Sequence, residues 1–243
     1  MKKLPRSFYR GDTLDIARAL LGCYLVTSLP EGTAIGRIVE TEAYLGPRDK
    51  AAHSYKKKGP DGRVSIQYRE GGYAYVYLIY GMHCCFNVVT GPENLPEVVL
   101  IRALEPLDWE ESLTLMASRR GVDPQRLVSP KKGCREEERD SILSHGLPQR
   151  VEGRPVRNAP ANFLCGGPGR LCQALGITRA LYGEDLCGNR LFITQGEPPS
   201  EKIAATPRIG IAYAEEARDY PWRFVLAENP YLSLPYPQKA SPR

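Results

Sequence analysis

The sequence lacks long hydrophobic runs, and none of its apolar stretches approaches the roughly 20 residues that a membrane-spanning helix needs. Its N-terminus, MKKLPRSFYRGD, carries the basic residues of a secretion signal but not the apolar core that follows them in such signals. These two absences predict a cytoplasmic protein that makes no contact with a membrane.

Paired cysteines are also lacking. The seven cysteines are an odd number and form no CxxC pair, which argues against a disulfide framework and against a zinc knuckle. The run His83-Cys84-Cys85 offers metal-ligating side chains, but consecutive residues on a strand point to opposite faces. We therefore favour free thiols over a metal site here, and expect neither a metal nor another cofactor.

A nucleotide-binding loop is missing as well. The Gly-rich run GGPG is not followed by GK[ST], so it is not a Walker loop. It leads into a short predicted helix, and the amides at a helix N-terminus are suited to holding one backbone phosphate.

What is present is the composition of an ordinary globular protein, with 42% hydrophobic and 25% charged residues among 243. The net charge of +5 is a mild basic excess, compatible with a polyanionic partner. Five basic residues against two acids lie between His53 and Gly72, which indicates either a solvated loop or a surface for a polyanion. The basic residues are Lys56, Lys57, Lys58, Arg63 and Arg69.

Residues 36–45, GRIVETEAYL, form a predicted strand with an unusual face. Strict alternation places Ile38, Glu40, Glu42 and Tyr44 on one side and the residues between them on the other. Two acids beside a tyrosine indicate either the lining of a cleft or ion pairs with arginines from elsewhere. Arg102, which lies within the apolar strand VVLIRALEP, is the expected partner, because an unpaired buried charge costs several kcal/mol.

Residues 71–89 predict a β-hairpin that turns near Tyr80-Gly81-Met82. Three tyrosines in this run alternate with aliphatic residues, which gives one aromatic and one aliphatic face. Tyr80 lies next to the turn, and an exposed aromatic at a hairpin tip is suited to insertion between stacked bases.

The remaining elements follow from apolar periodicity and from Gly and Pro positions. We predict helices at 12–22 (capped by Asp12 or Thr13), 109–121 and 169–176, strands at 23–29, 188–194 and 205–214, and a short helix followed by a strand at 215–226. The whole predicts an α+β fold: one domain, residues 1–235, with a curved, mainly antiparallel sheet resembling a roll or open barrel. Helices flank the sheet and the hairpin protrudes. Residues 122–160 are expected to be a long surface excursion and 236–243 a disordered tail.

Five blocks of sequence occur in the order seen in one enzyme family. They are RIVETEAYLGPRDKAAHS, YVYLIYGMHCCFN, RALEP, GPGRLCQALGI and PRIGIAYAEEARDYPWRF. In these blocks the chain resembles a bacterial member of the alkyladenine (3-methyladenine) DNA glycosylase family. The resemblance implies a monofunctional base-excision-repair enzyme, monomeric and nucleoid-associated, whose partner is double-stranded DNA with damaged purines. Such an enzyme flips an alkylated or deaminated purine out of the duplex and hydrolyses its N-glycosidic bond, leaving an abasic site.

The resemblance also assigns roles by position. Glu42 matches the general base that activates the attacking water, and Arg102 helps to hold that water together with a main-chain carbonyl of residues 208–211. The residues expected to line the base pocket are Tyr44, His53, Tyr77, Asn87, Ile209 and Ile211. Tyr80 matches the residue that fills the gap in the duplex, with Met82 beside it in the minor groove. The residues expected at the DNA backbone are Arg63, Lys56, Lys57 and Lys58.

One stretch departs from the family. Where relatives have Thr-Pro-Arg-Asn before the hairpin, this chain reads Asp61-Gly62-Arg63-Val64. Arg63 is kept, but Val64 replaces the Asn, so we expect a re-shaped loop after the base-contacting histidine and an effect on substrate range.

Two other functions are compatible with the sequence. A glycoside hydrolase using Glu40 and Glu42 is compatible with their spacing, because same-face carboxylates two apart lie about 7 Å apart along a strand, within the range for inverting chemistry. A non-catalytic module that senses damaged DNA with the basic loop and Tyr80 is the second alternative. No lysine lies in the motifs where a Schiff-base nucleophile is needed, which favours single-step hydrolysis without strand cleavage.

Overall fold

Eight strands form one curved antiparallel sheet in the computed structural model, which describes residues 2–56, 59–107, 109–123 and 163–236. Along the sheet the order is β3-β4-β5-β2-β1-β6, and β8 pairs with both β2 and β7. The strands are β1 (Tyr24–Leu29), β2 (Gly32–Tyr44), β3 (Ala74–Ile79), β4 (His83–Thr90), β5 (Glu97–Pro106), β6 (Leu191–Thr194), β7 (Ile203–Thr206) and β8 (Arg223–Leu226). The predicted α+β fold with a curved antiparallel sheet is confirmed.

Within the described part of the chain, three α-helices flank the sheet: α1 (Thr13–Ala19), α2 (Glu110–Arg119) and α3 (Pro168–Leu175). The predicted cap of α1 is present, because the Asp12 side chain accepts hydrogen bonds from the amides of Leu14 and Asp15. Thr41 of β2 donates its hydroxyl to the carbonyl of Ala17 at 2.8 Å, which fastens α1 to the centre of the sheet.

β2 is the central strand. Its first half pairs with β1, and its second half is hydrogen-bonded to β5 on one side and to β8 on the other. Glu40 and Glu42 lie in this doubly paired half and are fully buried. Both edges of this half of the strand are therefore covered, which pairs its backbone hydrogen-bonding groups on both sides.

Register shifts interrupt the pairing of β2 with β5 on both sides of Glu40. Ile38 pairs with Leu104 and Glu40 with Ala103, so Val39 is an extra residue on β2; Thr41 then pairs with Ile101, so Arg102 is extra on β5. Bulges of this kind re-aim side chains. The strict alternation predicted for β2 consequently fails at Ile38, which packs beside Val39 in the large core cluster.

β3 and β4 form the predicted hairpin, with a loop of residues 80–82 between the paired residues Ile79 and His83. Tyr80 and Gly81 both adopt positive φ, 52° and 71°. Ala74 and Val76 pack in the large core cluster, while the three tyrosines of β3 and its approach belong to a separate aromatic cluster. The two-faced prediction for this hairpin is confirmed.

The strand predicted at 205–214 is wrong after its first residues. β7 ends at Thr206, and residues 207–214 form turns and bends. Pro207 has no amide hydrogen to continue a ladder, and the Arg208 side chain bonds to the carbonyl of Ala217 at 3.1 Å, which folds the segment back on itself. The amide of Ile209 is thereby directed away from a strand partner.

Several expectations fall on residues that the structure does not describe. The structure does not describe Lys57 and Lys58. It also does not describe residues 124–162, which include most of the predicted excursion, or residues 237–243, which make up most of the predicted tail. Within the described ranges no helix is long and apolar enough to cross a bilayer. Over the same ranges no group of three or more potential metal ligands occurs, and the six described cysteines, including Cys84 and Cys85, are free thiols.

Candidate active site

Glu42 lies at the centre of the candidate site. Its Oε1 accepts a hydrogen bond from the amide of Ile209 at 2.7 Å, and its Oε2 accepts from the Tyr44 hydroxyl at 2.8 Å and from Arg102 Nη1 at 3.3 Å. An ionised carboxylate has roughly four acceptor positions, two on each oxygen. Three are taken by these protein donors, so Glu42 keeps the capacity to accept one more hydrogen bond, on Oε1.

Arg102 connects both glutamates. Its Nε donates to Glu40 Oε1 at 3.1 Å, while Nη1 donates to Glu42 Oε2. The ion pair expected between Arg102 and the acids of the first strand is therefore present in the structure. Because the guanidinium is held at two of its nitrogens by two buried carboxylates, its plane is fixed relative to Glu42.

Glu40 is engaged in a different way. It accepts from Arg102, from Arg223 Nε at 2.7 Å, and from both the amide and the hydroxyl of Ser233, at 2.7 and 2.8 Å. Three of these bonds go to Oε1 and one goes to Oε2. Glu40 thus accepts four hydrogen bonds from protein donors, whereas Glu42 accepts three.

The Ile209 amide reaches Glu42 because Arg208 anchors its segment. Arg208 is buried, forms a bidentate ion pair with buried Asp49, and donates to the Ala43 carbonyl at 2.9 Å. Its guanidinium lies over the rings of Tyr44 and Trp222, with centroid distances of 4.7 and 5.0 Å. Asp49 also accepts from the amides of Leu45 and Ala51. Arg208 therefore ties three parts of the site together: the end of β2, the 45–51 loop and the 208–217 segment.

An aromatic cluster lies beside these charges. Tyr44 and Tyr77 both pack, half-buried, against the cluster that contains Tyr75. Burial raises the pKa of Tyr44 well above its ordinary value, and the negative charge of Glu42 raises it further. The Tyr44 hydroxyl therefore stays protonated and acts as a donor to Glu42. Burial likewise raises the pKa of Tyr77.

His53 belongs to the same cluster. Its Nδ1 lies 2.8 Å from the Tyr75 hydroxyl, and its ring meets Tyr77 edge-on at a centroid distance of 4.5 Å. Burial, followed by the positive charge of Arg63, lowers the pKa of His53 to about 4. The imidazole is consequently neutral near pH 7, with one nitrogen able to donate and the other to accept.

Asn87 and Ile211 occupy buried positions. Asn87 pairs with Leu100 of β5 and with Tyr75 of β3, and its Nδ2 donates to the Tyr75 carbonyl at 3.2 Å. Ile211 packs with three alanines in a small cluster that Tyr44 also contacts. Both residues thus lie next to members of the aromatic cluster.

The hairpin tip is the opposite of buried. Tyr80 is 86% exposed and Met82 is 72% exposed, the two highest values among the large hydrophobic side chains described. Arg63 and Lys56 are also exposed, and the Arg63 carbonyl accepts from the Tyr182 hydroxyl at 3.2 Å. Val64, at the departure from the family pattern, is buried in a 3₁₀ helix (Gly62–Tyr68).

Sequence reasoning missed several supporting residues: Asp49, Tyr75, Arg208, Arg223 and Ser233. A usable signal existed for Arg223, because it begins the apolar strand RFVL as Arg102 interrupts VVLIRALEP, and a charge in such a run needs a partner. Ser233 carries no such signal, because nothing in its local sequence places it beside Glu40.

The buried pair of Arg208 and Asp49 generates a stability prediction. Arg208→Met leaves the Asp49 carboxylate buried without its cation, so we expect a loss of about 3–5 kcal/mol in the free energy of unfolding. The double variant Arg208→Met/Asp49→Asn should be less destabilised than the sum of the two single variants, as measured by urea denaturation. Strict additivity would contradict the coupling.

The depressed pKa of His53 generates a pH prediction. Below its ordinary value of 6.5 the unfolded chain takes up a proton that the folded chain refuses down to about pH 4. Stability should therefore fall as pH drops through this window, by on the order of 3 kcal/mol from this residue alone. His53→Gln should flatten the pH dependence by that amount in urea titrations at pH 4 to 7. An unchanged slope would show that His53 is not buried in its neutral form.

Comparison with known proteins shows which family the chain belongs to. A family model described as "Methylpurine-DNA glycosylase" matches residues 7–230. Three relatives carry the name "Putative 3-methyladenine DNA glycosylase". The one from Desulfitobacterium hafniense is 44% identical over 96% of this chain and 100% of its own length. Those from Clostridium novyi and Methanocella arvoryzae are 39% and 41% identical, each over 96% of this chain and over 99% and 96% of their own lengths. The resemblance read from the motifs is confirmed: the chain belongs to the methylpurine-DNA glycosylase family.

Proposed function

We propose that this protein is a monofunctional DNA glycosylase that removes alkylated or deaminated purines from duplex DNA by hydrolysis. The observation that carries the proposal is the remaining acceptor capacity of Glu42, a fully buried carboxylate beside an aromatic cluster. The names of the relatives, which specify 3-methyladenine, support the substrate class.

Glu42 is proposed to act as the general base. Hydrolysis of a glycosidic bond proceeds through an oxocarbenium-like state and needs a carboxylate that takes a proton from the attacking water. Oε1 of Glu42 has the capacity to accept that hydrogen bond, while the Ile209 amide and Arg102 hold the carboxylate in place. The hydrogen-bond partners of Glu42 include no lysine that could act as a Schiff-base nucleophile, which is consistent with direct hydrolysis that leaves the DNA strand uncut.

Tyr44 and Tyr77 are proposed to bind the extruded base. A damaged purine has to leave the helical stack before any side chain reaches its glycosidic bond, at a cost of a few kcal/mol. Aromatic faces compensate by stacking, and they attract a cationic alkylpurine by a further ~0.5–2 kcal/mol. Neutral His53 is proposed to hydrogen-bond the edge of the base. Asn87 is proposed to disfavour normal guanine because its side chain clashes with the exocyclic amine of that base.

Tyr80 and Met82 are proposed to occupy the duplex at the vacated position. A hairpin tip with two large exposed side chains resembles the apolar wedges by which proteins unstack base steps. Arg63 and the basic residues at 56–58 are proposed to contact the phosphate backbone.

The alternatives are weaker on specific grounds. Glu40, which a glycoside hydrolase would use with Glu42, is held by four hydrogen bonds from Arg102, Arg223 and Ser233. A non-catalytic damage sensor has no need for a buried carboxylate with spare acceptor capacity, since burying charge is expensive. It remains the outcome if no base is released.

The first prediction concerns the chemistry. Glu42→Gln should lower the single-turnover rate of purine release by about 10²–10⁴-fold, because the amide cannot accept a proton from water. Binding of a duplex that contains hypoxanthine or 3-methyladenine should persist. The measurement is chromatographic release of free base from defined lesions, with 7-methylguanine and ethenoadenine completing the panel.

Glu110→Gln, an exposed glutamate at the start of α2, is the matched control and should release base at the wild-type rate. Wild-type protein that binds lesion duplexes tightly but releases no base would support the damage-sensor alternative. Full turnover by the Glu42→Gln variant would move the base to another residue.

The second prediction concerns the hairpin tip. Tyr80→Ser should weaken binding to a lesion duplex by about 10- to 100-fold, since base–aromatic stacking contributes ~1–3 kcal/mol. Binding to undamaged duplex should change far less, and Tyr80→Phe, which keeps the ring, should resemble wild type. Equal losses on damaged and undamaged DNA, measured by fluorescence anisotropy, would refute a wedge role.

A further inference from the structure

The C-terminal segment at residues 229–234 reaches the candidate active site. Ser233 donates its amide to Glu40 Oε2 and its hydroxyl to Glu40 Oε1, and the same hydroxyl accepts from Arg102 Nη2 at 3.4 Å. The hydroxyl therefore acts as donor and acceptor at once, which is within the capacity of a serine. It bridges Glu40 and Arg102.

The segment is held firmly at this position. Tyr231 and Leu232 are buried in the large core cluster, and the amide of Tyr231 donates to the Asn229 side chain at 2.9 Å. On the far side, Arg223 Nη2 donates to the carbonyl of Leu234 at 2.8 Å. Ser233 is thus fixed from both directions, by buried side chains before it and by Arg223 after it.

The buried charges around Ser233 balance one another. Arg102 and Arg223 carry two positive charges, and Glu40 and Glu42 carry two negative charges, all buried. Arg223 and Ser233 supply three of the four hydrogen bonds that Glu40 accepts. Glu40 accepts from Arg102 through Nε alone, while Nη1 faces Glu42 and Nη2 faces the Ser233 hydroxyl.

We propose that the C-terminal segment is a working part of the active site and that Ser233 is a positioning residue, which with Glu40 sets the guanidinium of Arg102 against Glu42. Ser233 lies beyond residue 230, where the match to the family model ends. The role rests on the proposed function for its effect on catalysis, but the geometry of Arg102 is measurable without turnover.

The test uses two variants of equal shape in the full-length protein. Ser233→Thr keeps a hydroxyl, whereas Ser233→Val replaces it with a methyl group. Losing hydrogen bonds to charged groups should slow single-turnover release of hypoxanthine by about tenfold in Ser233→Val, while Ser233→Thr stays close to wild type. Affinity for the lesion duplex should be the same in both variants, whereas the melting temperature should fall in Ser233→Val, because the methyl group leaves Glu40 and Arg102 each without one hydrogen-bond partner.

A second measurement follows Arg102 itself. Relaxation of the Arg102 side-chain Nε–H signal in ¹⁵N NMR should report an ordered group in wild type and in Ser233→Thr, and a more mobile one in Ser233→Val. If wild type releases no base, the proposed function fails, and this comparison alone decides whether Ser233 positions Arg102. Equal order of Arg102 and equal rates in the Thr and Val variants would overturn the proposal. So would a slow Val variant whose duplex affinity falls with its rate, or whose Arg102 stays as ordered as in wild type, because either pattern shows that the rate is not lost through the position of Arg102.

Discussion

Two buried carboxylates on one strand are the constraint from which the rest of this structure follows. Each buried ion loses several kcal/mol of hydration free energy, and an ion of opposite charge has to compensate for that loss. Glu40 and Glu42 receive their partners from the two strands that flank β2, Arg102 from β5 and Arg223 from β8. Arg102 is the extra residue of the bulge on β5, and Arg223 lies opposite Glu42 in the unbroken ladder between β2 and β8. The strand pairing of β2 therefore brings both arginines to the acids.

The same four charges leave the two glutamates in different surroundings. Glu40 accepts four hydrogen bonds from protein donors, while Glu42 accepts three and keeps a position on Oε1, which the proposed mechanism assigns to the attacking water. Arg208 extends the rigidity to Tyr44 and to the Ile209 amide. By contrast, Tyr80 and Met82 stand exposed at the hairpin tip. A fixed interior beside an exposed apolar tip is the arrangement expected of a protein that extracts a base and holds it still.

Local patterns predicted the elements that carry the site, and long-range contacts defined what the patterns missed. The cap at Asp12 and the hairpin turn at Tyr80 follow from short-range rules, and the pairing of Arg102 with the first-strand acids follows from the cost of an unpaired buried charge. The strand expected after Thr206 does not form, because Arg208 bonds to Asp49 and Ala217 instead of continuing a ladder. Ser233 lies 193 residues from Glu40 along the chain, and no periodicity connects the two. The bulge on β5 was equally hidden, because nothing in the apolar run VVLIRALEP marks its position.

The most direct test of the proposed mechanism is a crystal structure of the Glu42→Gln variant bound to a duplex that contains hypoxanthine. We expect the base outside the helix between Tyr44 and Tyr77, Tyr80 in the vacated position, and a water held between residue 42 and Arg102. A hypoxanthine still stacked in the duplex, or a base bound away from residue 42, would contradict it.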